Sequence, residues 1–121
     1  MDLMTYLRDD LVRLMKRREK VGLRAVRDAV SAIQNAATSY LTTPATVGAP
    51  SEFVVGAVTF GQAERVVREL GADEMMMLAR MQVERRLEDA AVLRQHGQVD
   101  RALMLKAEAL ALSDRLDAFA A

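Results

Sequence analysis

The chain has 121 residues, of which 51% are apolar and only 4% aromatic, so one domain with an aliphatic core is expected. Seventeen Lys and Arg residues balance seventeen Asp and Glu residues, which excludes the strong positive field of a non-specific nucleic-acid binder. The absence of cysteine excludes disulfides and thiolate chemistry and is typical of a reducing compartment, so a cytoplasmic location is predicted. No apolar run approaches the roughly 18 residues of a membrane span, so no membrane partner is expected.

The first forty residues predict two helices, over 2–17 and 20–38. Apolar residues recur there at steps of three and four, which is the spacing of one helical face. They are Leu3, Leu7, Leu11 and Leu14 in the first helix and Leu23, Val26, Val30, Ile33 and Ala37 in the second. Asp2 is a candidate N-cap, because its carboxylate can accept a hydrogen bond from the free amides of the first turn.

A long irregular connection is predicted between the second and third helices. Residues 39–61 hold both prolines of the chain and several glycines, which break regular structure. The run FVVGAVTF at 53–60 has the composition of a strand, but Gly56 interrupts it and no second strand candidate exists to satisfy its backbone. Residues 62–70 are expected to form a short helix or the approach to the next one.

The second half predicts two long helices, over 72–96 and about 99–118, with Gly97 as the αL residue between them. Their inward faces are Met76, Ala79, Val83, Leu87 and Ala90 in the third helix and Leu105, Ala109, Leu112, Leu116 and Phe119 in the fourth, the latter widened by Leu103, Ala107 and Leu110. The predicted fold is therefore all-α, with four main helices in an antiparallel, bundle-like arrangement. A single domain is expected, with residues 1–38 and 71–121 as helical hairpins and 39–70 as their connection.

The residue types offer no catalytic constellation. His96 is the sole histidine and lies at a helix end, and no serine has a histidine near it in the pattern. Glu84 and Glu88, one helical turn apart, are most simply solvated surface carboxylates. We therefore expect no catalytic residue, no metal site and no cofactor.

A basic cluster at the junction of the first two helices is the candidate nucleic-acid site. Its members are Arg13, Lys16, Arg17, Arg18, Lys20 and Arg24. Such a cluster could clamp a phosphate backbone, or it is a solvated helix end that the helix dipole favours. Because Tyr6 and Tyr40 are the only tyrosines, base stacking has little support, and weak binding of tRNA is expected.

Three adjacent methionines, Met75, Met76 and Met77, are candidates for partner binding. Methionine is adaptable and common on promiscuous binding surfaces. Successive helical residues lie about 100° apart, so the three cannot all face one core. At least one is expected to be exposed, or to be covered by the long connection or by a second copy of the chain in a homodimer. The alternative is a wide core-facing helix with the connection folded over it.

Three blocks of the sequence resemble the GatB/YqeY family. LRAVRDAVSAIQNAA at 23–37 is similar to the family's second-helix signature. ELGADE followed by ERRLEDA, at 69–90, is similar to its third helix, and GQVDRALMLKAEALAL at 97–112 is similar to its next turn and helix. The signature positions to which we assign a structural role are Arg27, Ile33, Asn35, Arg85, Gly97, Asp100 and Glu108. Between Arg27 or Arg85 and Glu108 we expect a buried pair that fixes the register of the helices.

The resemblance implies an all-helical module similar to the GatB tail of the aspartyl/glutamyl-tRNA amidotransferase, which contacts tRNA while catalysis happens elsewhere. It implies a non-catalytic binding module that acts through a protein partner or tRNA. The alternative is an auxiliary component of a carbon–nitrogen ligase that uses glutamine as amide donor and is active only in trans. The sequence departs from the family pattern at Gly71, Ala37 and Met81, and the family's C-terminal helical module is expected to be missing or reduced after Ala121.

Overall fold

The computed structural model describes residues 1–40 and 65–121. In these ranges the chain forms four α-helices and two short strands. In chain order they are α1 (Leu3–Arg17), α2 (Lys20–Ala37), β1 (Thr38–Tyr40), β2 (Arg65–Val67), α3 (Ala72–Gln95) and α4 (Val99–Ala120). The all-α prediction is confirmed, and each helix begins and ends within two residues of its predicted bounds.

The fold divides into two compact units, residues 1–34 with 70–121 and residues 35–69. In the second unit, β1 and β2 pair in antiparallel register, with Ser39 opposite Val66. The short helix expected at 62–70 is wrong for residues 65–67, because pairing with β1 satisfies the backbone of these residues and valine favours a strand. The irregular connection predicted over 39–61 is wrong for residues 39–40, which belong to β1. The FVVGAVTF run and the rest of that connection, residues 41–61, lie outside the described residues.

The first helix begins at a side-chain cap, as predicted. The Asp2 carboxylate accepts a hydrogen bond from the Thr5 backbone amide at 2.8 Å. This bond holds the pKa of the Asp2 carboxyl below its usual range, because it stabilises the charged form. Asp2 therefore fixes where α1 starts.

Two helices end in the same hydrogen-bonded turn. After α3, the amides of Gly97 and Gln98 donate to the carbonyls of Arg94 and Leu93, with Gly97 at φ 78°. This is the Schellman pattern, and glycine suits its left-handed position. After α1, the amides of Arg18 and Glu19 donate to the carbonyls of Met15 and Leu14. Here the left-handed residue is Arg18, at φ 58°, where an L side chain is strained.

Replacing Arg18 with glycine is expected to stabilise the fold. Relief of the left-handed strain exceeds the extra chain entropy that glycine loses on folding, and we expect a gain of about 0.5 kcal/mol in the free energy of unfolding. Urea unfolding followed by circular dichroism measures this change. The matched control is Arg17→Gly, one residue earlier inside the helix, which is expected to destabilise by up to ~1 kcal/mol. Destabilisation by both variants would contradict the strain argument.

All four helices contribute to one aliphatic core. Its buried members are Leu3, Leu7, Leu14, Ala25, Val26, Ala29, Ile33, Met75, Ala79, Val83, Ala109, Leu112 and Leu116. This core therefore holds α1 and α2 together with α3 and α4. In the described ranges, no helix is long and apolar enough to cross a membrane.

The inward faces of α3 and α4 differ in detail from the predicted ones. Arg86, rather than Leu87, lies inside α3, and Leu87 is exposed. The expected widening of the α4 face is wrong, since Leu103, Ala107 and Leu110 are all exposed. The face of α4 that packs inward carries Ala102, Glu108, Ala109, Leu112 and Leu116. Both helices thus bury one charged side chain and leave apolar ones outside.

Gly22 is a packing position where α2 approaches α1 and α4. A Cβ atom at Gly22 would lie 3.2 Å from Cδ2 of Leu14 and 3.3 Å from Nη2 of Arg115. Glycine in a helix costs about 1 kcal/mol relative to alanine. The Leu14 and Arg115 side chains come so close that a Cβ atom here would press against both of them. This close packing accounts for a glycine inside α2 despite its low helix propensity.

Candidate functional site

The most deeply buried charged side chain described is Glu108, in the middle of α4. It is 1% exposed, and its Oε1 accepts a hydrogen bond at 3.1 Å from Nε of Arg86, which is also buried. Its second oxygen, Oε2, lies 3.5 Å from Nη1 of Arg24, a side chain that is 65% exposed. The Glu108 carboxylate therefore has one partner inside the bundle and one at its surface.

Arg86 extends this contact to a third helix. Its Nη2 forms an ion pair with Oδ2 of Asp28 on α2, and its Nη1 donates to the side chain and the carbonyl of Gln82, at 3.4 and 3.5 Å. We call Arg24, Asp28, Arg86 and Glu108 the central ion-pair network. This network joins α2, α3 and α4, and removal of one member would leave a buried charge without compensation.

A second group of charges joins the first helix to the last. Nε of Arg115 on α4 forms an ion pair with Oδ2 of the buried Asp10 on α1, and its Nη2 lies 3.7 Å from Glu19. Nη1 of Arg115 donates to the Ala111 carbonyl at 2.9 Å. In the described part of the chain, every buried side-chain nitrogen or oxygen has a hydrogen-bond partner. These polar groups are therefore occupied in holding the bundle together.

The predicted pair of Glu108 with Arg27 or Arg85 is wrong in its partner. Arg27 and Arg85 are both exposed. Because the buried face of α3 passes through Arg86, Arg85 points about 100° away from it. On α2 the arginine that reaches Glu108 is Arg24, one turn before Arg27. The prediction from the sequence was right that Glu108 is a buried, paired carboxylate, but it named neither Arg86 nor Arg24 as its partner.

The other signature residues occupy unlike environments. Ile33 is buried in the core, and Asn35 is exposed in the second unit. Gly97 takes the left-handed position between α3 and α4, as predicted, and Asp100 lies exposed in the first turn of α4. No common site forms from these residues.

The basic cluster at the α1–α2 junction is exposed throughout. Arg13 lies 3.4 Å from Asp10, and Arg24 belongs to the central ion-pair network. The remaining cations form no ion pair within residues 1–40 and 65–121; they are Lys16, Arg17, Arg18 and Lys20. Their charge is therefore presented to solvent.

The three methionines divide as the helical geometry requires. Met75 is buried in the core, Met76 is half-buried against it, and Met77 is 53% exposed. The expectation that at least one would be exposed is confirmed. What contacts Met77 in an assembly stays a prediction.

An open cavity of about 430 Å³ lies between α2 and the end of the α3–α4 hairpin. Its lining residues are Arg24, Leu93, Asp100, Arg101, Met104, Leu105 and Glu108. The Arg101 guanidinium is held by the Gln98 side chain at 3.2 Å. Two cations, two carboxylates and three apolar side chains therefore line the cavity.

Two side chains of a kind that can take part in catalysis, His96 and Ser113, already have hydrogen-bond partners. Nδ1 of His96 contacts the Val92 carbonyl at 2.8 Å, and the Ser113 hydroxyl accepts a hydrogen bond from Arg80 at 3.5 Å. Over residues 1–40 and 65–121, no three His, Cys, Asp or Glu side chains gather in a way that could hold a metal ion. The arrangement seen there is one of ion pairs within the bundle and exposed basic and apolar side chains.

The fold and its ion-pair networks define an all-α helical protein in which α3 and α4 pack as a long hairpin. No protein-family model, no curated protein and no solved structure matches the chain. The resemblance to the GatB/YqeY family therefore rests on the sequence blocks alone.

Proposed function

We propose that this chain is a non-catalytic helical binding module, similar to those of the GatB/YqeY family, and that it acts by contacting a protein partner. The observation that carries the proposal is an apolar stripe on the solvent side of α4. Its residues, which we call the outer stripe, are Val99, Leu103, Ala107 and Leu110, all of them exposed. At spacings of four, four and three they share one face of the helix.

The bundle does not need the outer stripe for its own stability. The core of α4 is made by residues on the opposite face, of which Leu112 and Leu116 are fully buried. Leu103 and Leu110 remain 55% and 52% exposed. A scattered apolar residue on a surface is ordinary, but a contiguous row along one helix is typical of a surface that binds another protein.

The internal ion pairs support a binding role. The central ion-pair network fixes the middle of α4 through Glu108. The ion pair between Arg115 and Asp10 fixes α4 nearer its end. A helix held in one register presents its outer face without rearrangement, which lowers the entropy that binding costs. The GatB/YqeY resemblance supports the same kind of function, because the related tail region works by contact while chemistry occurs elsewhere.

The exposed cations at the α1–α2 junction favour tRNA as the second candidate partner. Phosphate contacts by Lys and Arg position a protein on nucleic acid, and Lys16, Arg17 and Lys20 are available for this. The chain's overall neutrality argues for weak binding. The experiment must therefore separate protein from RNA.

The test is capture of partners by the tagged full chain from an extract of its source cells, with and without nuclease. We expect specific proteins to be captured, to survive nuclease treatment, and to be lost with the double variant Leu103→Glu/Leu110→Glu. The matched control is Gln95→Glu, which adds a carboxylate at an exposed position on α3. Loss of all captured material on nuclease treatment, or unchanged capture by the double variant, contradicts the proposal.

Light scattering on the same proteins addresses the homodimer. If the outer stripe binds a separate protein, the wild type and the double variant should have the same mass in solution. A dimeric wild type together with a monomeric variant would show that a second copy of the chain occupies the stripe, in place of another protein.

A further inference from the structure

The cavity between α2 and the hairpin end is lined by charges of both signs in equal number. Arg24 and Arg101 are its cations, and Asp100 and Glu108 are its carboxylates. Because these charges sum to zero, a ligand with charges of only one sign gains no net attraction from the lining. A zwitterion, which carries one charge of each sign, can contact a cation and a carboxylate at the same time.

Two of the four charges are available to a ligand. Over residues 1–40 and 65–121, neither Asp100 nor Arg101 forms an ion pair. The Arg101 guanidinium donates to the uncharged side chain of Gln98 at 3.2 Å. Arg101 can therefore form a charge-assisted pair with a carboxylate that enters the cavity.

One oxygen of the Glu108 carboxylate is only weakly engaged. Oε1 accepts from Arg86 at 3.1 Å, whereas Oε2 has Nη1 of Arg24 at 3.5 Å, beyond the usual length of such a hydrogen bond. Each carboxylate oxygen can accept two hydrogen bonds. Glu108 is 1% exposed, so water solvates its charge poorly. An ammonium group that enters the cavity can therefore donate to Oε2.

The spacing of these groups along α4 sets the length of the ligand. Arg101 and Glu108 are seven residues apart on one face of the helix, which is about 10 Å along its axis. An extended peptide spans roughly 3.3 to 3.6 Å per residue. Three residues therefore bridge the two groups with their free ends, and a single amino acid is too short.

The part of the lining between the two charges is apolar. Leu105 lies between Arg101 and Glu108 on the same face of α4, and Leu93 and Met104 lie beside it. Met104 is 48% exposed, so an apolar side chain that covers it removes apolar surface from water. The volume of about 430 Å³ is in the range of small-ligand sites. Aliphatic side chains on the ligand suit this lining.

We propose that this cavity binds a short aliphatic peptide, about three residues long, with both of its ends free. The carboxylate of the peptide pairs with Arg101, and its ammonium group donates to Oε2 of Glu108. Its side chains cover the apolar lining. The site is separate from the outer stripe, since Leu103 and Leu110 do not line the cavity, and it does not depend on the proposed function.

The test compares the tripeptide leucyl-alanyl-leucine with three matched peptides. The first is acetylated at the amino end and the second is amidated at the carboxyl end. The third is triserine, which keeps both charges without apolar side chains. Titration of the full chain, followed by the nuclear magnetic resonance signals of its ¹³C-labelled methionine methyls in about 0.1 M salt, measures each affinity. We expect a dissociation constant of about 1 mM or lower for the free tripeptide, at least tenfold below the others.

The variant Arg101→Gln tests the contact with the carboxylate. It should weaken binding of the free tripeptide about tenfold and change the affinity for the amidated peptide less than twofold, because that peptide has no charge for Arg101 to pair with. The matched control is Arg94→Gln, at an exposed position outside the lining, which should change neither affinity. Equal losses for both peptides would overturn the assignment of Arg101. Circular dichroism confirms that both variants keep the helical fold.

The contact with the ammonium group is tested through the ligand, because the Glu108 carboxylate also pairs with Arg86 inside the bundle. In the variant Asp100→Asn, which neutralises the other carboxylate of the lining, the free tripeptide should still bind at least fivefold more tightly than the acetylated one. If this preference disappears, the ammonium group lies at Asp100, and its placement at Glu108 is overturned.

The methionine signals also report where the peptide binds. The tripeptide should shift the Met104 methyl signal and leave Met77 unmoved, since Met77 lies sixteen residues before Leu93 on α3, roughly 24 Å away. An unmoved Met104 signal during binding would place the peptide elsewhere and overturn the site.

The remaining outcomes distinguish this site from the outer stripe. The double variant Leu103→Glu/Leu110→Glu should bind the tripeptide with an affinity within about threefold of the wild type, because neither residue lines the cavity. Loss of the tripeptide from that variant overturns the separate site. Equal affinities for the free, acetylated and amidated peptides, or no binding of the free one, overturn it even if the outer stripe captures a protein.

Discussion

The variant Glu108→Gln is expected to lower the free energy of unfolding by roughly 3 kcal/mol, as is typical when one member of a buried ion pair is removed. Gln keeps the shape of the side chain, so the loss reports charge rather than packing. The Arg86 guanidinium stays buried and retains only Asp28, which is half-exposed, as its carboxylate partner. For a chain of this size the melting temperature should fall by roughly 10 °C.

A double variant separates the charge from the position. In Arg86→Met/Glu108→Leu both charges leave the interior together, and apolar groups of similar volume replace them. We expect stability within about 1 kcal/mol of the wild type, because the desolvation of both ions is removed along with their attraction. Glu88→Gln, on an exposed position of α3, is the control and should change little.

Either of two results would contradict the role given to these charges. If Glu108→Gln unfolds at the wild-type temperature, the Glu108 carboxylate is not a charged partner of Arg86. If the double variant is as unstable as the single one, shape rather than charge explains the loss. Differential scanning calorimetry measures the melting temperature, and urea titration measures the free energy of unfolding.

The helix bounds were predictable because local chemistry sets them. Asp2 caps α1 through the Thr5 amide, and Gly97 supplies the left-handed residue after α3. These capping signals act within one helical turn, so they can be recognised from residues that are neighbours in the sequence. The end of α1 was also predicted, although its left-handed residue is Arg18, which no composition rule would have selected.

The burial of α3 and α4 was less predictable, because it depends on neighbours that the pattern does not show. An arginine at position 86 resembles a surface residue until Asp28 and Glu108 are known to lie beside it. The pattern therefore placed Leu87 inside, and the true face lies one residue away. The Asp10–Arg115 pair joins residues that are 105 positions apart. The spacing of apolar residues within one helix gives no information about such a contact.

The candidate site illustrates the same limit. The basic residues were identified from composition, because exposed cations need no partner to be recognised. The cavity beside Arg24 was missed, since it arises only where α2 meets the end of the hairpin. Met104 and Leu93 look like ordinary core residues in the sequence, and only the packing of the helices exposes them to a common space.

The comparison of Leu112→Ala with Leu110→Ala tests which face of α4 belongs to the core. Both leucines lie on the same helix, two positions apart, and the change in helix propensity is the same. Leu112 is 0% exposed and belongs to the core, whereas Leu110 belongs to the outer stripe. Truncating Leu112 removes buried methyl groups and leaves a cavity, so we expect a loss of about 3 kcal/mol.

Leu110→Ala should change stability by less than about 0.5 kcal/mol, because its side chain is already in contact with water. The difference between the two variants, measured by urea unfolding, therefore reports burial alone. Equal losses would mean that Leu110 is covered in the isolated chain, either by its own residues or by a second copy. Dilution separates these two explanations: a loss that depends on protein concentration identifies self-association, because unfolding of an associated chain is linked to its concentration. A large loss at Leu112 with none at Leu110 leaves the outer stripe free for a partner, which the proposed function requires.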